Sequence, residues 1–193
     1  MAAASHGADA LGFIFWRPSK RFVEPAEVPR LTAQLPPMLT KVAVVVDPEP
    51  AELSEILALS GADCVQFHGD EPAELCESCN RPYIKSVRVR ARSDVEDTLA
   101  AHPRASALLL DTYKAGLPGG TGESFDWSLV PLDSGKPLIL AGGLNRGNVA
   151  QAIAAVTPYA VDVSGGVESE PGVKDPAAIR AFLNEVNRAR ATQ

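Results

Sequence analysis

Short apolar runs alternate along the chain with segments whose apolar residues recur at helical spacing. The runs are rich in β-branched and aromatic residues, and residues 42–46 have no polar face, as is typical of a strand buried on both sides. Strands are predicted at seven places, namely residues 10–15, 42–46, 64–68, 83–89, 107–111, 138–141 and 160–163.

Helical signals separate the predicted strands. Residues 50–59 carry apolar side chains at helical spacing, and Gly61 then favours a helix end. Residues 148–156 repeat the pattern, and residues 175–186 open with an N-cap aspartate followed by a proline. This alternation predicts a parallel sheet, either an open doubly wound sheet or a closed barrel.

Two features of the strand ends favour the barrel. Polar residues or glycine stand at the carboxyl end of nearly every strand, where (β/α)8 barrels build their active sites. The last two strands lead into Gly-rich loops at residues 141–148 and 164–168, and such barrels hold phosphate in the loops after strands seven and eight. The rim residues are Asp47, Gln66, His68, Asp111, Gly142, Asp162 and Ser164.

Counting strands back from these two loops leads to a specific fold. We predict a single α/β domain over residues 1–193, a (β/α)8 TIM barrel with strands two to eight present and strand one missing from this chain. Residues 2–9 are then the end of the helix that follows strand one. Because a closed barrel without one strand has two unpaired edges, we expect the natural protein to begin further upstream.

Composition narrows the functional classes. The chain is 46% hydrophobic, enough for one sizeable core, and no apolar run approaches the ~20 residues of a membrane span. No basic segment precedes an apolar core at the N-terminus, so a secretory signal is not expected. Three cysteines without a disulfide pattern favour a reducing compartment, the cytoplasm. A net charge of -6 argues against a nucleic-acid partner but is compatible with anionic metabolites, which helix N-termini can bind.

Three segments carry candidate chemistry. The Gly-Gly pairs at 142–143 and 165–166 let backbone N–H groups approach a phosphate; the alternative is a pair of plain tight turns. Residues 16–22 gather three positive charges beside aromatic rings and suit an anionic aromatic substrate; the alternative is a solvated basic loop. Asp111 ends an apolar strand, where a partly desolvated carboxylate suits a general acid; the alternative is an aspartate that caps a turn.

Other features are interpreted more plainly. Cys76 and Cys79 have metal or redox spacing, but no second pair or neighbouring histidine supports a site, so no metal is expected. Residues 117–124 resemble a P-loop only superficially, because Glu123 stands where the phosphate-binding lysine belongs, and we interpret them as a rim loop or lid. His68 either lines the site or is a hydrogen-bonded rim histidine.

Seven segments also stand in the order of the motifs of a known family. They are residues 7–15 (GADALGFIF), 19–22 (SKRF), 65–71 (VQFHGDE), 109–112 (LLDT), 119–127 (GGTGESFDW), 140–145 (LAGGLN) and 161–168 (VDVSGGVE). Each segment alone is a weak signal, but together they are specific and cover nearly the whole chain. The chain resembles phosphoribosylanthranilate isomerase of tryptophan biosynthesis.

The resemblance implies an Amadori rearrangement that needs no cofactor. The substrate, N-(5-phosphoribosyl)anthranilate, opens its ribose ring and becomes, through an enol, a carboxyphenylamino-deoxyribulose phosphate. Asp111 matches the family's general acid, and Arg21 matches the arginine that holds the anthranilate carboxylate. Family members are monomers or homodimers. Polar residues lining the site are matched by Gln66, His68 and Asp162, and the phosphate site is matched by Gly142, Gly143, Ser164 and Gly165.

The sequence also departs from the family pattern. The family begins with a strand of the type Lys-Ile-Cys-Gly, whose cysteine removes the C2′ proton; this sequence has no such segment, and its three cysteines stand at other positions. Gly165 replaces a serine common in the family, and Arg17-Pro18 reverses the usual order. Two alternatives stay open: another phosphate-binding barrel of tryptophan or histidine biosynthesis, and a non-catalytic phosphate-ligand-binding barrel or inactive fragment that lacks the base.

Overall fold

One parallel sheet organises the molecule. The computed structural model describes residues 1–112, 125–131 and 133–191. Seven strands pair in chain order, each parallel to the next, which confirms the predicted alternating α/β architecture. They are β1 (Ala10–Ile14), β2 (Thr40–Val45), β3 (Cys64–Phe67), β4 (Tyr83–Val89), β5 (Ala107–Thr112), β6 (Leu138–Leu140) and β7 (Ala160–Val161).

Helices alternate with these strands. A small antiparallel ribbon, β8 (Glu168–Glu170) with β9 (Val173–Lys174), follows β7, and short 3₁₀ turns lie at Pro25–Glu27, Trp127–Leu129 and Gly165–Val167. The α-helices are α1 (Ala2–Ser5), α2 (Val28–Thr32), α3 (Pro50–Ser60), α4 (Ala73–Ser78), α5 (Arg92–Ala101), α6 (Val149–Val156) and α7 (Pro176–Arg190).

Local sequence explains where two of the helices begin or end. The side chain of Asp175 accepts a hydrogen bond of 2.8 Å from the backbone N–H of Ala177, which satisfies a free donor at the start of α7. Gly61 ends α3 in the left-handed region at φ 59°, which only glycine adopts without strain. Both ends agree with the sequence prediction.

The hydrophobic core lies between one face of the sheet and the helices. Successive strand residues point to opposite faces, so Phe67 and Leu110 enter this core while their neighbours Gln66 and Asp111 lie on the concave inner face. The strand alternation therefore places the polar candidates of β3 and β5 together, away from the helices. Core residues with little or no exposure include Val65, Leu108, Leu53, Val95, Val149 and Phe182.

The predicted barrel is observed as a curled sheet of seven strands. β1 already begins near the N-terminus, at Ala10, and the described residues do not support the prediction that strand one is missing. That prediction came from counting back through a closed barrel. The seven described strands of this sheet instead pair in chain order, and the two Gly-rich loops lie side by side. The expected helical segment near the N-terminus is present as α1, which packs on α7. The single domain over residues 1–193 stays a prediction.

None of the helices in the described part of the chain is long and apolar enough to span a lipid bilayer.

Candidate active site

A hydrogen-bonded chain of polar side chains lies on the concave face at the carboxyl ends of β3, β4 and β5. His68 is its centre, because the ring contacts Gln66, Ser86 and Asp111. Nδ1 of His68 lies 3.0 Å from Nε2 of Gln66 and 2.8 Å from Oγ of Ser86, while Nε2 lies 3.2 Å from Oδ2 of Asp111. Three of the residues predicted to line the site are thus brought together, and His68 both faces the site and is fully hydrogen-bonded.

These contacts favour one tautomer of the neutral histidine ring. The amide nitrogen of Gln66 can only donate, so Nδ1 of His68 accepts and the proton of a neutral ring is on Nε2. Nε2–H then donates to Oδ2 of Asp111, and the backbone N–H of Thr112 donates to Oδ1 at 2.7 Å. Both oxygens of the candidate acid are therefore oriented by fixed donors.

Asp162 lies at the end of β7 within the electrostatic field of Asp111. Desolvation by the surrounding protein raises the pKa of Asp162, and the negative charge of Asp111 raises it further. The charges of His68 and Lys174 lower it. Solvent still reaches Asp162. The raised pKa has a simple electrostatic part, because two carboxylates that face one cleft resist being ionised together.

The first Gly-rich loop lies directly against Asp111. Gly142 has φ 76°, and a Cβ added there would come within 2.3 Å of Oγ1 of Thr112 and 2.9 Å of Oδ1 of Asp111. Only glycine permits this approach. The carbonyl of Gly143 accepts hydrogen bonds from the side-chain amides of Asn145 at 3.2 Å and Asn148 at 3.0 Å, which hold the loop at the start of α6.

The second Gly-rich loop packs on the first. A Cβ added to Gly166 would lie 2.0 Å from the carbonyl oxygen of Leu144, so the two loops touch through their backbones. Ser164 immediately precedes the turn Gly165–Val167. The two loops that carry the four residues predicted to bind phosphate are consequently neighbours, as expected after adjacent strands of a parallel sheet.

Arg21 lies next to this surface but is already paired. Its Nε and Nη2 donate to the two carboxylate oxygens of Glu168 at 2.7 Å each. Lys174 donates to the same carboxylate at 2.7 Å. Burial acts to raise the pKa of Glu168, but the hydrogen bonds and charges of Arg21 and Lys174 outweigh it and lower the pKa to about 2.

Sequence reasoning missed several residues that shape this rim. Glu168 stood inside a recognised motif, yet no local pattern indicates a partner 147 positions away. Lys174 and Ser86 belong to no sequence motif that indicates a site residue. Lys85 is buried on the helix side of β4, where it donates to the carbonyl of Gly69 at 2.6 Å and to Glu71 at 2.9 Å.

No cysteine takes part in this network. Cys64 lies half-buried on β3, where burial raises the pKa of its thiol to about 11, and burial raises that of Cys76 to about 12. Cys79 donates to the carbonyl of Cys76 at 3.0 Å. Within the described ranges, no group of three or more metal-ligating side chains is found. The predicted rim loop at 117–124 lies outside the described residues.

The curled parallel sheet with a polar rim at the carboxyl ends of its strands is typical of α/β barrel-type enzymes. Comparison with known proteins identifies the family. The model of the N-(5'phosphoribosyl)anthranilate (PRA) isomerase family matches residues 1–185, and the chain belongs to this family of tryptophan biosynthesis.

Individual relatives agree with the family match. An N-(5'-phosphoribosyl)anthranilate isomerase from Pseudomonas fluorescens is 54% identical over 189 residues, which is 98% of this chain and 90% of that protein. The crystal structure of phosphoribosyl anthranilate isomerase from Thermotoga maritima is similar with a TM-score of 0.88 at 38% identity, covering 97% of this chain and 92% of that chain. Another, in complex with reduced 1-(o-carboxyphenylamino)-1-deoxyribulose 5-phosphate, has a TM-score of 0.85 at 38% identity and covers 97% and 91%.

Proposed function

We propose that this chain isomerises N-(5'-phosphoribosyl)anthranilate to 1-(o-carboxyphenylamino)-1-deoxyribulose 5-phosphate. Family membership over residues 1–185 supports the proposal. Within the site, one observation carries it: Asp111 lies against the first Gly-rich loop with both oxygens engaged by N–H donors, from His68 and Thr112. A non-catalytic phosphate binder has no use for a carboxylate oriented in this way.

The proposed role of Asp111 is that of general acid. A proton delivered to the ribose ring oxygen breaks the C1′–O bond while the nitrogen lone pair forms a C1′=N bond. Loss of the C2′ proton then returns an electron pair to nitrogen and leaves an enol. The enol becomes the ketose when a proton adds at C1′ and the proton of the C2′ hydroxyl leaves, which forms the C2′=O bond. In the proposal, the contacts to His68 and Thr112 aim the carboxyl group of Asp111 at the ring oxygen.

The base is not assigned to any residue of this sequence. The resemblance gives that role to a cysteine in a segment of the type Lys-Ile-Cys-Gly, and this sequence has no segment of that type. Cys64 does not replace it, because a thiol with a pKa of about 11 is protonated near neutral pH. Our proposal for the described residues therefore concerns the acid step and substrate binding.

Binding is proposed to use both ends of the substrate. The phosphate would lie on the touching glycine loops, against Gly142, Gly143, Ser164 and Gly165. Arg21 would bind the anthranilate carboxylate. The hydroxyl groups between the two ends would face the remaining polar residues of the rim, Gln66, His68 and Asp162.

The remaining proposals concern partners and location. We propose a small-molecule substrate as the partner, with no cofactor, no nucleic acid and no membrane. A monomer or homodimer and a cytoplasmic location stay predictions from the sequence.

Turnover by the purified chain tests this function. Anthranilate fluorescence should decay when the protein is added to freshly made substrate, and Asp111→Asn should lower kcat by about 10²–10⁴-fold. Asp97→Asn, at an exposed position on α5, is the matched control and should leave kcat unchanged. Tight binding of the reduced product without any turnover would overturn the proposal in favour of the non-catalytic binder.

A further inference from the structure

Glu168 links two parts of the rim that lie far apart in the sequence, the loop after β1 and the ribbon strand β9. Its side chain is only 5% exposed, yet it contacts two cations, Arg21 and Lys174. Arg21 comes from the loop after β1, and Lys174 comes from β9. A buried carboxylate between two cations fixes both of them, because its charge-assisted hydrogen bonds are strong and directional.

The pairing with Arg21 leaves a particular edge of the guanidinium group available. Glu168 occupies the side edge, through Nε and Nη2 at 2.7 Å each. The end edge, made by Nη1 and the second hydrogen of Nη2, has no hydrogen bond within residues 1–112, 125–131 and 133–191. Because the guanidinium group is planar, the side-edge pairing also fixes the plane in which the end edge points.

The pairing with Lys174 reaches the phosphate surface. Nζ of Lys174 donates to the carbonyl of Ser164 at 2.8 Å and lies 3.2 Å from its Oγ, in addition to its contact with Glu168. A Cβ added to Gly165 would lie 3.5 Å from Nη2 of Arg21, so the arginine borders the same loop. One carboxylate thus sets the separation between Arg21 and the second Gly-rich loop.

We propose that Glu168 is a positioning residue that orients Arg21 towards a substrate carboxylate and holds it at a set distance from the phosphate loop. The consequence is selectivity for phosphoribosyl arylamines that carry an ortho carboxylate over those that do not. The inference rests on the proposed function. Its physical basis is that an arginine free to rotate would bind a carboxylate at many distances from the phosphate, and so would discriminate less.

The positioning role requires that Glu168 is ionised. Its pKa of about 2 keeps the carboxylate charged at any pH at which the enzyme is assayed, so the arrangement does not titrate during turnover. A neutral glutamine has the same shape but offers one acceptor in place of two and turns an N–H group towards a cation. Glu168→Gln therefore removes the orienting charge with little change in volume.

Binding of two product analogues by calorimetry tests the proposal. The first is reduced 1-(o-carboxyphenylamino)-1-deoxyribulose 5-phosphate, and the second is the same compound without the carboxylate. Wild type should bind the first compound more tightly than the second. Glu168→Gln should reduce the ratio of the two affinities by about tenfold or more, mainly by lowering the affinity for the first compound. Arg21→Met should abolish the preference, and Glu168→Gln should add nothing in that background.

A matched control and a second variant keep the test decisive. Glu24→Gln breaks an exposed pair with Arg17 near β1, where the side chains are 54% and 72% exposed, and should leave the preference intact. If Glu168→Gln does not fold by near-ultraviolet circular dichroism, Glu168→Asp, which keeps the charge on a shorter arm, is measured in its place and should also lower the preference.

The outcomes separate this proposal from the function it rests on. If a Glu168 variant lowers the affinity for both analogues equally, the positioning role is overturned and only a structural role is left. A wild-type protein that binds neither analogue would overturn the proposed function itself. In turnover, the positioning role predicts a raised KM for the carboxylate-bearing substrate with a smaller change in kcat.

Discussion

Lys85 donates to Glu71 at 2.9 Å in an ion pair whose side chains are 6% and 0% exposed. The carboxylate of Glu71 also accepts from the backbone N–H groups of Asp47 and Gly69, so it joins the loops after β2 and β3 to β4. His68 immediately precedes Gly69. The hydrogen bonds of Glu71 and Lys85 to Gly69 therefore fix the backbone from which the His68 side chain projects into the site.

Removing one partner of this pair should destabilise the fold strongly. Lys85→Met leaves a buried carboxylate without its cation, and we expect a loss of about 3–5 kcal/mol in the free energy of unfolding, measured in urea. Arg92→Met breaks a pair with Glu96 whose side chains are 58% and 57% exposed, and should cost less than about 1 kcal/mol. Equal losses in the two variants would contradict the view that burial makes the Lys85 pair important.

Glu168 should make stability depend on pH in acid. Its pKa is lowered from 4.5 in the unfolded reference to about 2 in the fold, so its contribution is present above pH 4.5 and is lost as pH falls towards 2. Urea unfolding between pH 5 and pH 2 should therefore show a smaller loss of stability in Glu168→Gln than in wild type. Glu24→Gln is the control and should follow the wild-type curve; identical curves for all three proteins would refute the assignment.

His68 should affect the rate more than binding. Its Nε2–H orients Asp111, and loss of this hydrogen bond should lower kcat about tenfold in His68→Ala. Affinity for the reduced product should change much less. His6→Ala, in the segment after α1, is the matched control for the fluorescence assay. A changed affinity with an unchanged kcat would contradict the assignment.

Gly142 should tolerate no side chain. Gly142→Ala adds a Cβ 2.5 Å from the backbone nitrogen of Thr112, the donor that holds Asp111, and at a φ of 76°. Gly135→Ala has a similar φ of 66° but meets no atom within 4 Å, so it isolates the backbone strain. We expect thermal unfolding to reveal an extra loss of about 1–3 kcal/mol in Gly142→Ala, together with lost turnover. Equal stability of the two variants would show that the loop moves aside.

Local patterns accounted for most of the secondary structure and part of the site. The run at 42–46 predicted β2 to within two residues, observed at Thr40–Val45, because a buried strand needs consecutive apolar residues. The Gly-Gly pairs indicated two loops at the same rim that need close backbone approach, and only the structure shows that these loops contact each other. The seven predicted strands are observed, but the prediction that a first strand is missing was wrong, because the closure of a sheet depends on strand pairing rather than on any one segment.

What the sequence determined by itself was the order of strands and helices, the rim positions that include Asp111, and the family resemblance. Only the tertiary structure decided which rim residues meet. Arg21 pairs with Glu168, which lies 147 positions away in the sequence. The tautomer of His68 is set by Gln66 on β3 and Asp111 on β5. The physical reason is that helix and strand signals are local, whereas hydrogen bonds and ion pairs at the rim form only when separate strands are brought into register.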